Sequence, residues 1–231
     1  MGPKFMNNVR KILSKSLPDN IAIQILFNLP KIETWRRSHK QNYPYFKSYR
    51  DALYDYIQRE VIKQKSIDYL EFGVWKGASI KYWSELNTHK RSRFYGFDTF
   101  TGLPEDWEHF VGKTGQNRFD VGGKAPSISD TRVNFIKGKF QDTLDNFLRS
   151  YHPQSQLILN NDSDLYSSTL YTLTACNGII SPGTIIIFDE FSSVLNEFRA
   201  LQDYCSAYLR KYIIIGAAGI YYDHVAIRIT S

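Results

Sequence analysis

From Ser66 onward, short apolar runs alternate with segments of helical period, and this alternation constrains the fold more than any other feature of the chain. The runs are Ile67-Asp68-Tyr69-Leu70-Glu71-Phe72, Arg93-Phe94-Tyr95-Gly96-Phe97-Asp98, Val133-Asn134-Phe135-Ile136-Lys137-Gly138, Leu157-Ile158-Leu159 and Gly183-Thr184-Ile185-Ile186-Ile187-Phe188. Helices are expected from Gln141 to Ser150 and from Ser167 to Ile180, and the stripe Phe198, Leu201, Cys205 and Tyr208 predicts one more. Isoleucine-rich runs this short read as buried parallel strands. Strands alternating with helices predict a doubly wound α/β sheet. Tyr212 to Ile215 and Val225 to Ile229 lie close enough for a terminal antiparallel hairpin, which brings the expected sheet to seven strands.

Several of these runs end in an acid. Asn160-Asn161-Asp162-Ser163-Asp164-Leu165-Tyr166-Ser167-Ser168-Thr169 follows the fourth run, and Asp189-Glu190 closes the fifth. One helix and one strand separate the two clusters, so on parallel neighbours both emerge at one sheet edge, where ligands of open α/β sheets bind. Converging oxygen donors suit a divalent ion such as Mg²⁺. Acids that merely cap the following helix are the plainer alternative.

The first run ends in Glu71-Phe72-Gly73-Val74-Trp75-Lys76-Gly77. Glycine lets the backbone approach a ligand, and the helix start beyond it offers free N–H donors. The dinucleotide pattern G-x-G-x-x-G is absent. Asp98, at the end of the second run, is placed to accept two hydrogen bonds from a ribose diol. A nucleoside without a pyrophosphate fits both features.

The chain of 231 residues suits one large domain. An apolar content of 42% excludes a disordered polymer, and no run has the length of a membrane span. The net charge of +6 is scattered, with no basic and aromatic stripe for nucleic acid, so a small-molecule or glycan partner is expected instead. Cys176 and Cys205 suit neither a zinc site nor a disulfide framework. No secretory signal is evident, Met6 is expected as the native start, and the protein is expected in the cytoplasm.

Residues 1–65 are expected to form a helical cap on a domain spanning 66–231. Its helices are predicted from Val9 to Leu17, from Ile21 to Leu29 with Pro30 ending the second, and from Ser48 to about Val61. The cap could line the substrate cleft or form an oligomer contact. Residues 101–132, rich in glycine and polar side chains, break the strand-helix rhythm and are read as a lid or binding loop at the acidic edge, with a disordered insertion as the plainer alternative.

At these motifs the chain resembles the class I S-adenosylmethionine-dependent methyltransferases, most closely the macrocin-type sugar O-methyltransferases. The resemblance rests on Leu70 to Gly77, Phe97-Asp98-Thr99-Phe100-Thr101-Gly102-Leu103-Pro104, Gly138 to Leu144, Asp162-Ser163-Asp164-Leu165-Tyr166-Ser167-Ser168-Thr169, and Pro182 to Glu190. It implies a Rossmann-like fold and an S-adenosyl-L-methionine cofactor. Glu71, Gly73, Val74 and Ser79 would face its methionine part and Asp98 its ribose. Thr99 and Phe100 would flank the adenine, with Lys139, Phe140 and Gln141 closing the other side. Asp162, Asp189 and Glu190 match the family's Mg²⁺ ligands, although the family commonly has glycine at Ser163 and aspartate at Glu190. The implied reaction is methyl transfer to a sugar or glycan hydroxyl, with Asp162 or Asp164 as base. The rival readings are a metal-dependent methyltransferase of a catechol or other phenol, and a non-catalytic adenosylmethionine-binding module.

Overall fold

The computed structural model describes residues 3–16, 20–39, 42–47, 50–109 and 112–231. The N-terminal segment contributes α1 (Pro3–Ser16), α2 (Ile21–Ser38), β1 (Tyr45–Phe46) and α3 (Arg50–Tyr56), which a wider π-helical turn, Ile57–Ile62, extends. Then follow β2 (Ile67–Phe72), α4 (Ala78–Leu86), β3 (Arg93–Asp98), β4 (Trp107–His109), β5 (Gly112–Thr114), β6 (Val133–Lys137) and α5 (Phe140–Ser150). The last third holds β7 (Gln156–Asn161), α6 (Tyr166–Ala175), β8 (Ile185–Phe188), α7 (Glu197–Ala207), β9 (Tyr212–Ala218) and β10 (His224–Ile229).

Among the described residues the main sheet has eight strands in the order β1-β9-β10-β8-β7-β2-β3-β6. β10 runs antiparallel to both β8 and β9. The pairs β2–β3, β2–β7, β3–β6 and β7–β8 are parallel. The chain first moves outward from β2 through β3 to β6, then returns to β7 on the other flank of β2. That reversal opens a crevice beyond the C-terminal ends of β2 and β7. The registers Phe72 with Phe97, Phe72 with Asn161, and Asn161 with Phe188 keep four strand ends level, so Gly73, Asp98, Asp162 and Asp189 emerge side by side.

The pleat sends alternate side chains to opposite faces. Leu70, Phe72, Leu159, Ile186 and Phe188 join one buried cluster with α2, α5, α6 and α7. Tyr69, Ile158, Ile185 and Ile187 join the other, against Leu53 and Tyr54 of α3 and Ile80 and Trp83 of α4.

The structure departs from the sequence reading in three places. The sheet has an eighth strand, because Tyr45–Phe46 pairs in parallel with β9. Ala217 N–H donates to Pro44 O at 3.1 Å and Gly219 N–H to Phe46 O at 3.0 Å, so donors of an otherwise open edge are satisfied. A two-residue strand carries no periodicity to read.

Pro30 does not end α2. It is exposed, so the carbonyl it leaves unpaired one turn back can reach water, while Ile32 and Trp35 are buried and hold the following turns. Trp35 Nε1 also donates to Tyr212 Oη at 2.7 Å, tying α2 to β9. α3 starts at Arg50, and both Ser48 and Leu17 lie outside the described residues. Finally, segment 101–132 contains a small hairpin, β4 with β5.

Candidate active site

The turn after β2 is the tightest point of the crevice. Gly73 has φ +94°, and a Cβ there would lie 1.7 Å from the backbone oxygen of Asp162. Only glycine lets β2 and β7 end this close together. Asp98 then fastens the turn to β3. Its Oδ2 accepts from the N–H groups of Val74 and Trp75, both at 2.7 Å, and its Oδ1 accepts from Phe100 N–H at 2.7 Å.

Asp98→Ala therefore removes three bonds to a charged acceptor. A loss of at least one such bond's worth, roughly 1.5–3 kcal/mol, is expected in thermal unfolding. Cofactor affinity measured by calorimetry should fall as well. A folded variant with both quantities unchanged would take Asp98 out of the site.

A cavity of about 260 Å³ occupies the crevice. One side is lined by Gly73, Val74, Ser79, Asp98 and Thr99, with Lys139, Phe140 and Gln141 closing it. Two residues expected at the cofactor do not line this cavity. Phe100 is fully buried, packed edge-on to Phe135, because the left-handed backbone at φ 58° belongs to a turn held by Asp98. Glu71 is also fully buried; its Oε2 accepts from Tyr69 Oη at 2.5 Å and from Asn160 Nδ2 at 3.4 Å. Burial pushes the Glu71 carboxyl up to about 7 against the pull of Tyr69.

The other side of the cavity is acidic, lined by Asp162, Asp164, Asp189 and Glu190. Asp162 and Asp189 meet at one cation. Arg50 Nη1 stands 3.1 Å from Asp162 Oδ2 and 2.9 Å from Asp189 Oδ1. His224 Nδ1 lies 3.0 Å from the same Asp189 oxygen. Burial works against the Asp189 charge, yet His224 and Arg50 outweigh it and hold the carboxyl down at about 2. Asp162 goes the other way: burial and the neighbouring Asp189 charge raise it well above the usual carboxylate range, with Arg50 opposing. Asp164, held at φ 60°, is pushed up to about 7 by burial and then by the charges of Glu190 and Asp189. Glu190 also rises to about 7, through burial first and Asp189 second.

The three side chains expected to hold Mg²⁺ do not stand as a cage. Asp162 and Asp189 converge, but on the Arg50 guanidinium, and among the described residues no group of three or more His, Cys, Asp or Glu side chains is arranged to take a metal ion. A bridging arginine already neutralises one charge of the pair, and a dication beside it would meet repulsion.

The roof comes from segment 101–132. Leu103, Pro104, Trp107 and Phe119 line the cavity from above. Asn196 Nδ2 donates to Glu108 O at 3.1 Å, and Ser167 Oγ donates to Glu105 Oε1 at 2.5 Å, tying the roof to the start of α6 and the turn before α7.

Sequence comparison decides the family. The model of the macrocin-O-methyltransferases matches residues 46–222. The chain belongs to the macrocin-type O-methyltransferase family. Among the relatives of this macrocin-type chain is the 8-demethyl-8-(2,3-dimethoxy-alpha-L-rhamnosyl)-tetracenomycin-C 4'-O-methyltransferase of Streptomyces olivaceus, 28% identical over 69% of this chain and 66% of that one. Demethyldecarbamoylnovobiocin O-methyltransferase of Streptomyces niveus is 28% identical over 68% of this chain and 65% of that one. The match thus spans just under two thirds of either relative's length. The solved O-methyltransferase NovP shares the fold, with a TM-score of 0.59 and 22% identity over 79% of this chain and 80% of that one.

Family motifs account for the strand-end acids of this macrocin-type chain, but not for Arg50 or His224. Arg50 opens α3, more than a hundred positions before its partners, and His224 begins β10. Only a three-dimensional sheet order brings them to the acids. Trp107 sits in the loop singled out by its composition, so its role was legible as part of a roof and not as a particular contact.

Proposed function

We propose that this chain is an S-adenosylmethionine-dependent O-methyltransferase that methylates a hydroxyl of a sugar or a glycosylated small molecule. One observation carries the reading: a glycine-turn half and an acidic half share a single cavity at the switch point of the sheet. Family membership and the rhamnosyl group in the name of the Streptomyces olivaceus relative support the acceptor class.

The cofactor supplies an electrophilic methyl group on a sulfonium. Gly73, Val74 and Ser79 would hold its methionine end, Asp98 its ribose, and Thr99 with Lys139, Phe140 and Gln141 its base. The Gly73 turn, which lines the cavity, and Oδ1 of Asp98, which accepts from Phe100 N–H and keeps a second lone pair, fit such a group. Across the cavity, Asp164 takes the proton from the acceptor hydroxyl. A carboxylate near neutral pKa is a far better base than an ordinary aspartate. Asp162 is committed to Arg50, so its part is to shape the wall beside the base. The apolar roof of Leu103, Pro104 and Trp107 keeps water from the transfer. No step here runs through a metal, because the carboxylates expected to ligate one are held by Arg50 instead.

The test is transfer of isotopically labelled methyl from S-adenosylmethionine to deoxysugar glycosides and, in parallel, to catechols. Label on a glycoside oxygen is the expected outcome. Label on catechols alone would transfer the chain to phenol chemistry, and cofactor binding without any transfer would leave only a binding module.

A further inference from the structure

Among the described residues, Arg50 bridges two carboxylates from different strand ends, whereas the part-buried Arg93 and Arg132 each pair with one acid. It lies between two strand-end carboxylates, with Nη1 at 3.1 Å from Asp162 and 2.9 Å from Asp189, and its side chain is only 26% exposed. The exposed cations at Lys81, Lys113 and Arg199 pair at the outer surface instead. Its helix is anchored from two directions. β1 joins the sheet edge just before it, while Leu53 and Tyr54 just after it are fully buried against the sheet. The guanidinium is therefore placed by the fold, and side-chain freedom alone did not bring it there. Removing it would leave two carboxylates in a partly buried cleft with His224 beside Asp189 and no guanidinium between them, a costly arrangement.

We propose that Arg50 is the resident cation of this site: it clamps Asp162 to Asp189 in the position a divalent ion would take, so that arginine and metal are alternative occupants of one seat. Arg50 is then a positioning residue, setting the wall beside Asp164 without touching the reacting atoms. The inference rests on the reading that these acids face the acceptor, but its chemistry involves the carboxylates and the guanidinium alone. A dication and a guanidinium within hydrogen-bond distance of the same oxygens repel each other, so metal enters only as Arg50 leaves. The N-terminal segment thereby becomes part of the site.

The test uses Mn²⁺ as probe and the full chain without cofactor or acceptor, following free Mn²⁺ by electron paramagnetic resonance. Wild-type protein should bind Mn²⁺ weakly. Arg50→Met should bind one ion per chain more tightly by about tenfold or more, since the pair loses its counter-charge. Adding Asp189→Asn to that variant should abolish the gain, a response that a merely structural arginine would not produce. Arg50→Lys keeps a charge and should stay close to wild type. Tight stoichiometric Mn²⁺ binding by the wild type, or equal affinity in wild type and folded Arg50→Met, would overturn the proposal. Should Arg50→Met fail to fold, the wild type and Arg50→Lys decide, with tight binding by either overturning it. No arm contains S-adenosylmethionine, so failure of methyl transfer would count against the proposed function and leave this result standing.

Discussion

Gly73→Ala should unfold the crevice from within. The new Cβ would sit 1.7 Å from the backbone oxygen of Asp162 and 2.7 Å from its carbonyl carbon, at a residue with φ +94°. Both opposing atoms are backbone, so no side chain can swing away. Relief requires β2 and β7 to part at their ends, and these are central, fully paired strands. Left-handed strain and overpacking together cost about 2–5 kcal/mol. Denaturant unfolding should show that loss, and calorimetry with S-adenosylhomocysteine should show no binding. A variant with wild-type midpoint and affinity would mean that the turn relaxes freely.

The second large effect is expected at the base. Asp164→Asn keeps size and shape but cannot accept a proton, and kcat should fall by about 10²–10⁴. Cofactor affinity should change little, because the glycine turn and Asp98 carry it. The pH profile adds a sharper mark. A base works deprotonated, so with the Asp164 carboxyl near 7 the wild-type rate should fall as pH drops through about 7. In Asp164→Asn that acid limb should vanish with the rate. Full turnover in Asp164→Asn with the limb intact would move the base to Asp162, whose carboxyl is raised too but is engaged with Arg50.

The parts of this architecture that repeat were legible in the sequence. Ile185 to Phe188 and Leu157 to Leu159 are buried on both faces, and such strands read as continuous apolar runs whatever surrounds them. Asp162, Asp164 and Asp189 were placed at one edge because strand ends on parallel neighbours are set by the helix between them. What escaped were contacts between elements distant in sequence. β1 is two residues long, and Pro30 is tolerated only because buried residues beyond it hold the helix. The expectation of a ligand at the ends of β2 and β3 assumed that every acid there faces the cleft. Glu71 instead is fully buried beneath the turn, whereas Asp98 lines the cavity while also accepting three backbone N–H groups. Pattern shows where a carboxylate stands along the chain; which way it turns depends on donors that only the folded backbone supplies.

One crevice is expected to seat the cofactor beside the acids. Hydrogen exchange of the wild-type chain with and without S-adenosylhomocysteine tests this most directly. Added protection is expected at 73–79, 98–104 and 139–141, the segments that line one side of the cavity, with segment 101–132 gaining more when a glycoside acceptor is also present. Calorimetric binding accompanied by protection elsewhere, with these segments unchanged, would contradict the account.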